Sequence, residues 1–222
     1  MTRFVLIPGA GGAAWYWHLV VELLRQAGHE AIAVDLPGDD PAAGLPEYAA
    51  TVVGAIGSHD DVVLVAQSLG GFTAPLVTEK VPIRALVFVN AMIPLPGETA
   101  GAWWDKTAWT EARVSAAANG GYPSDLDLAV YFLHDVPPEV AAAGESQQRP
   151  EADAVFGSAC DFRCWPDVPI RVVAGSDDRF FPVGFQLELA RNRLGIGADV
   201  VPGGHLIALS QPAELVAYLL RV

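Results

Sequence analysis

Residues 66–71 read AQSLGG, and the apolar run VVLVA (62–66) leads into them. One small polar residue, Ser68, therefore stands where an apolar run gives way to glycine. A serine hydroxyl is a poor nucleophile until a base removes its proton. A sharp strand–turn–helix presents such a hydroxyl, and it demands small residues two before and two after the serine. Ala66 and Gly70 meet that demand. The same turn aims the Leu69 amide N–H at the space in front of Ser68. The competing reading of AQSLGG is an ordinary tight turn that needs small residues and does no chemistry.

The chemistry requires a base, and the base in such sites is a histidine held by a carboxylate. With this turn the chain order is serine, then acid, then histidine. The C-terminal third supplies both. AGSDDRFFP (174–182) follows the strand-like IRVVA, and PGGHLIALSQPAEL (202–215) follows the short run ADVV. Loops after neighbouring parallel strands emerge at one edge of the sheet, so these side chains can converge on Ser68. Of the five histidines, only His205 follows a late strand. His18 and His29 fall on or beside the first helix, and His59 falls in a polar turn. His134, in AVYFLHDV, is read as structural, capping a helix beside Asp135, with contact to substrate as the other role weighed.

The elements that must hold these groups alternate. Strands are expected at 4–7, 31–35, 62–66, 85–89, 170–174 and 198–201. Helices are expected at 15–27, 46–57, from just past Ser68, at 183–194 and at 212–220. Alternation of this kind builds βαβ units and a parallel sheet with helices on both faces. The rhythm breaks between 92 and 168. That stretch is rich in Ala, Pro and Trp, has helical pieces near 100–118, 124–134 and 137–143, and shows no convincing strand. We read it as a helical lid over the carboxyl ends of the strands, where open α/β sheets bind ligands. The core is then 1–91 with 169–222.

Composition limits the partners. The 222 residues suit one α/β domain, and 52% hydrophobic against 18% charged residues is enough apolar material for a large core. The formal net charge is −13, from 13 Lys plus Arg against 26 Asp plus Glu. Nucleic acid and anionic membrane surfaces both call for basic patches, so neither is an expected partner. No run is long enough to span a membrane, and the chain opens on a strand and glycines without a signal-like apolar region. A cytoplasmic monomer or homodimer acting on a small molecule is expected. Cys160 and Cys164 are too few ligands for zinc and are expected as reduced spectators.

On these motifs the chain resembles the α/β-hydrolase superfamily over nearly its whole length. The acid loop of that family often reads G-x-x-D-x-x-x-P, which fits Gly175, Asp178 and Pro182 and makes Asp178 the acid, with Asp177 facing solvent or Arg179. The stretch VLIPGAGGAAWYWHLVVELLRQAGHEAIAVDLPG (5–38) is similar to the opening of small esterases and hydroxynitrile lyases related to plant methyl-ester esterases. Those often carry His-Gly where this chain has Pro8-Gly9. The resemblance implies a sheet of about six mostly parallel strands, a triad of Ser68, Asp178 and His205, and an oxyanion hole from the Ala10 and Leu69 amides. Gly9, Trp104 and Phe132 are expected to line the substrate pocket. The implied reaction is cleavage of a small-to-medium apolar ester, lactone or thioester through an acyl-enzyme, with no cofactor and no metal. The rival lyases use a threonine at Gly9 and a lysine at Leu206, and this chain has neither. A C–C bond hydrolase, a tailoring enzyme or a weakly catalytic receptor would share the scaffold. Gly9, Gly11 and Gly12 lack the full G-x-G-x-x-G of a dinucleotide loop.

Overall fold

The structure is a computed structural model that describes residues 1–222. Six strands form one sheet: β1 (Arg3–Ile7), β2 (Glu30–Ala33), β3 (Val62–Gln67), β4 (Ala85–Val89), β7 (Ile170–Gly175) and β8 (Asp199–Val201). Between β4 and β7 lie two short strands, β5 (Glu98–Thr99) and β6 (Ala159–Cys160). The six run in spatial order β2-β1-β3-β4-β7-β8, every pair parallel.

The central strands β1, β3, β4 and β7 read as largely apolar runs because both faces are covered. Successive side chains alternate between the faces. Val5, Ile7, Leu64 and Ala66 join one cluster of 34 buried residues. There they meet helices α2 (Leu45–Ile56), α3 (Gly70–Thr78) and α9 (Val183–Leu194). Phe4, Leu6, Val63 and Val65 join a second cluster of 22 residues with α1 (His18–Gln26), α10 (Ile207–Ser210) and α11 (Pro212–Leu219). Each fully buried side chain of this kind contributes about 1.5–3 kcal/mol through removal of apolar area from water.

The order reverses at β1. The chain leaves β1 for β2 on one side, then returns to β3 on the other. Such a reversal opens a crevice at the carboxyl ends of the two strands. Ile7 is paired with Ala66. The loop after β1 therefore lies beside Gln67 and Ser68.

Several local expectations are corrected. The second strand stops at Ala33, short of 35, because Asp35 turns to accept the Ala14 N–H at 2.8 Å. The first helix begins as a 3₁₀ turn (Ala14–Trp17) before α1. The single helix expected at 100–118 is two, α4 (Ala100–Lys106) and α5 (Trp109–Gly120), because Thr107 takes an extended conformation. The piece expected at 124–134 shrinks to α6 (Leu128–Tyr131), since the Asp127 carboxylate caps the Val130 N–H at 2.9 Å and fixes the start there. The piece expected at 137–143 is α7 (Pro138–Glu145), and one further helix, α8 (Asp153–Gly157), follows it. The stretch expected to lack strands holds the antiparallel pair β5–β6, two residues each, too short to leave a periodic signal. No helix is long and apolar enough to cross a membrane.

Candidate active site

Ser68 sits between β3 and α3 with φ 49°, one of only two non-glycine residues at positive φ. An L-residue is strained there, and the neighbours hold it. A side chain at Gly70 would come within 2.5 Å of the Pro8 carbonyl, and one at Gly71 would strike the Met92 carbonyl. The Ser68 carbonyl accepts the Gly71 and Met92 N–H groups, each at 3.0 Å. Gly9 approaches from the loop after β1, where an added Cβ would lie 2.7 Å from Ser68 Cβ and 2.5 Å from Gln67 Oε1. Only glycine lets that loop lie so close.

His205 Nε2 is 3.1 Å from Ser68 Oγ, and His205 Nδ1 is 2.9 Å from Asp178 Oδ2. The carboxylate can only accept, so Nδ1 carries the proton and Nε2 is left to accept from the serine. Both Asp178 and His205 are buried. Burying a carboxylate is tolerable only when donors replace its water. Here Oδ1 accepts the Phe180 and Phe181 amides at 2.9 and 2.8 Å, and Oδ2 accepts Gln186 Nε2 at 3.1 Å besides the imidazole. Asp177 is exposed, bonds to the Ser176 hydroxyl and the Gly203 amide, and makes no pair with Arg179. Arg179 instead donates to the Val130 carbonyl and lies over the Tyr122 ring.

A buried amide network ties the two late loops together. Asn90, just past β4 and also at positive φ (44°), donates to the Gly204 and His205 carbonyls at 2.8 and 3.2 Å. Its oxygen accepts the Gly175 amide at 2.7 Å and Gln186 Nε2 at 3.3 Å. Gln67 adds a bond to the His205 carbonyl at 3.3 Å. From the 92–168 segment, Asp135 accepts the Gly204 N–H at 2.6 Å. His134 lies 4.0 Å from Asp135 and makes no hydrogen bond to Ser68 or His205. Asn90, Gln186 and Gln67 escaped the sequence reading. For Asn90 and Gln67 the available signal was a polar residue at the carboxyl end of an otherwise apolar strand run, VFVN and VVLVAQ, whereas Gln186, inside α9, left none.

The amides of Ala10 and Leu69 donate to no group in the protein. Three phenyl rings stand edge-on to the imidazole: Phe180 and Phe181 at 5.0 Å and Phe132 at 5.3 Å between centroids. Phe132 thus reaches the site from the 92–168 segment. Trp104 packs on Trp103, Trp109, Phe180 and Phe181, one ring removed from His205. Phe180 and Phe181 were not foreseen as site residues, although they follow the acid directly in DDRFF. Both cysteines are unpaired. Cys160 is buried, its thiol pushed up by that burial and bonded to the Phe72 carbonyl, while Cys164 is exposed. No group of three or more His, Cys, Asp or Glu side chains is placed to hold a metal ion.

A parallel sheet with a strained serine after its third strand, and an acid and a histidine on its last two loops, defines a hydrolase-type α/β architecture. Residues 4–218 match the alpha/beta hydrolase family, and the chain belongs to it. It is similar to a probable esterase, PIR7A, of Oryza sativa subsp. indica, at 37% identity over 111 residues. That match covers 45% of this chain and 42% of the rice protein, so it spans about two-fifths of that relative's length. Methyl jasmonate esterase 1 of Vitis vinifera is 26% identical over 99% of this chain and 96% of its own. The crystal structure of polyneuridine aldehyde esterase superposes with a TM-score of 0.79 at 24% identity, covering 100% of this chain and 98% of that one. That likeness carries the fold.

Proposed function

We propose that the protein is a serine hydrolase that cleaves a small-to-medium apolar carboxylic ester, lactone or thioester through an acyl-enzyme. The observation that carries this reading is the continuous hydrogen-bonded line Asp178–His205–Ser68; the Ala10 and Leu69 amides, which have no partner in the protein, are free to serve it. His205 takes the Ser68 proton as the oxygen attacks the carbonyl carbon. Asp178 keeps the ring in place and stabilises the imidazolium. The Ala10 and Leu69 amides receive the negative oxygen that forms. The imidazolium then protonates the leaving alcohol, and water repeats the sequence on the acyl group. These side chains, the two amides and water complete the cycle. The names of the relatives, esterases among them, agree with this reaction.

Gly9, Phe132 and Phe180 line the substrate space, with Trp104 behind them, and the 92–168 segment acts as the lid. An apolar, aromatic wall suits an uncharged substrate. The unpaired thiols fit a reducing compartment such as the cytoplasm. The test is rapid mixing with a p-nitrophenyl ester of short acyl chain. A burst of p-nitrophenol equal to the enzyme concentration is expected, and Ser68→Ala should abolish both burst and turnover. Full turnover in Ser68→Ala would refute the mechanism.

A further inference from the structure

The loop that carries the Ala10 amide is loosely built. Its residues 8–12 read PGAGG, with Gly11 at φ +87° and Gly12 at φ +55°. Glycines at such angles leave a backbone with wide freedom. Pro8 has no side-chain donor that could anchor it. Inside the loop only one backbone bond, Gly12 N–H to the Gly9 carbonyl at 3.1 Å, closes the turn. An amide must be fixed before reaction if it is to stabilise charge when charge develops.

The fixing contact comes from 140 residues away. The Glu151 carboxylate accepts the Gly11 N–H at 2.6 Å, and its other oxygen accepts the hydroxyl of the fully buried Tyr48. The strand of chain around it lies against two glycine loops. The Arg149 carbonyl sits 3.4 Å from where a Gly11 side chain would begin, and a side chain at Gly38 would strike the Pro150 carbonyl. Arg149 also donates to the Leu36 carbonyl at 3.3 Å and pairs with Asp39 at 3.2 Å. Leu36 N–H in turn bonds the Gly12 carbonyl at 2.8 Å. The strap 149–152 therefore clasps the loop after β1 and the loop after β2 at once. Burial pushes the Glu151 carboxyl above its ordinary range, and the Tyr48 and Gly11 bonds pull the other way. A carboxyl is withdrawn from water in this manner only where partners hold it.

We infer that Glu151 is a positioning residue of the oxyanion loop: by holding the Gly11 N–H it fixes the Ala10–Gly11 peptide plane, and so, across the Ala10 Cα, it restrains the neighbouring Gly9–Ala10 plane that carries the Ala10 N–H and that the Gly12 N–H holds from its other end. This inference rests on the acyl-transfer reading of Ser68. Its chemistry is acceptor chemistry. The glutamine amide oxygen can accept the same Gly11 N–H while its NH₂ faces the Tyr48 oxygen, so charge is dispensable and the acceptor is not.

The experiment compares Glu151→Ala, Glu151→Gln and Tyr48→Phe with the parent protein, at a temperature where thermal melting shows each folded. Readouts are kcat and KM for a neutral p-nitrophenyl ester, and affinity for a trifluoromethyl ketone, which forms a tetrahedral oxyanion on Ser68. Loosening one donor should cost less than deleting it, so Glu151→Ala should lower kcat about 10- to 100-fold with KM within about twofold. Ketone affinity should fall by the same factor, whereas a purely structural role would lower the melting temperature alone. Glu151→Gln should stay within about threefold of the parent, and Tyr48→Phe should fall between the two. Unchanged kcat and ketone affinity in folded Glu151→Ala, or in Tyr48→Phe if the alanine variant does not fold, would overturn the inference. So would a Glu151→Gln variant as impaired as Glu151→Ala. Ser68→Ala in the same assay separates the two levels. If it is inactive while the Glu151 variants are unimpaired, only the positioning role falls. If it retains turnover, the acyl-transfer reading falls first.

Discussion

At Ser68 the backbone stands at φ 49°, with Gly9 packed against its side chain and Gly70 and Gly71 letting the turn that follows lie against the Pro8 and Met92 carbonyls. Gly9 has the tightest fit to the reacting oxygen. A methyl group there would begin 2.7 Å from Ser68 Cβ, closer than two such carbons can stand. Gly9→Ala must therefore push the serine or the loop out of register. A misplacement of about 1 Å costs on the order of 10²-fold in rate. We expect that loss in kcat for Gly9→Ala, measured on a p-nitrophenyl ester, with the protein still folded. An unchanged kcat would show that the loop and the serine are not closely fitted. Ser68, Asp178 and His205 were legible in the sequence because each lies in a short motif whose loop geometry is local. Glu151 was not, because its partners Gly11 and Tyr48 lie 140 and 103 residues away and no periodicity reports a distant polar bond.

At the scale of elements, the same contrast recurs. Strands β1, β3, β4 and β7 announced themselves as apolar runs, since helices cover both of their faces. The β5–β6 pair did not, because two residues cannot show an alternation. Yet that pair carries a strong tie. Glu98 in β5 and Arg193 in α9 form an ion pair with side chains only 1% and 7% exposed. Arg193 also donates to the Ile93 carbonyl at 2.8 Å, and Glu98 accepts the Leu95 amide at 3.1 Å. Removing one partner of such a buried pair strands the other charge, at a cost of about 3–5 kcal/mol. Glu98→Gln should lose stability of that order in urea unfolding. A loss near that of an exposed pair, about 0–1 kcal/mol, would mean water reaches the site.

Across the whole molecule, topology does the assembling. The order β2-β1-β3-β4-β7-β8 places the loop after β1 beside the serine turn, and puts the acid and histidine loops after adjacent strands at the far edge. Asn90 and Gln186 bridge those regions through the interior. Parallel strands deliver all four loops to the same rim, which is why a serine and a histidine 137 residues apart share a hydrogen bond. The strand order itself was beyond sequence reading: alternation predicts parallel neighbours, and only packing selects which neighbours they are. The most direct measurement of the central claim is mass spectrometry of the intact protein after brief exposure to a fluorophosphonate. The account predicts one adduct per chain, mapped to Ser68, formed far more slowly in His205→Ala and absent in Ser68→Ala. A folded protein that takes no label, or takes it on another residue, would contradict it.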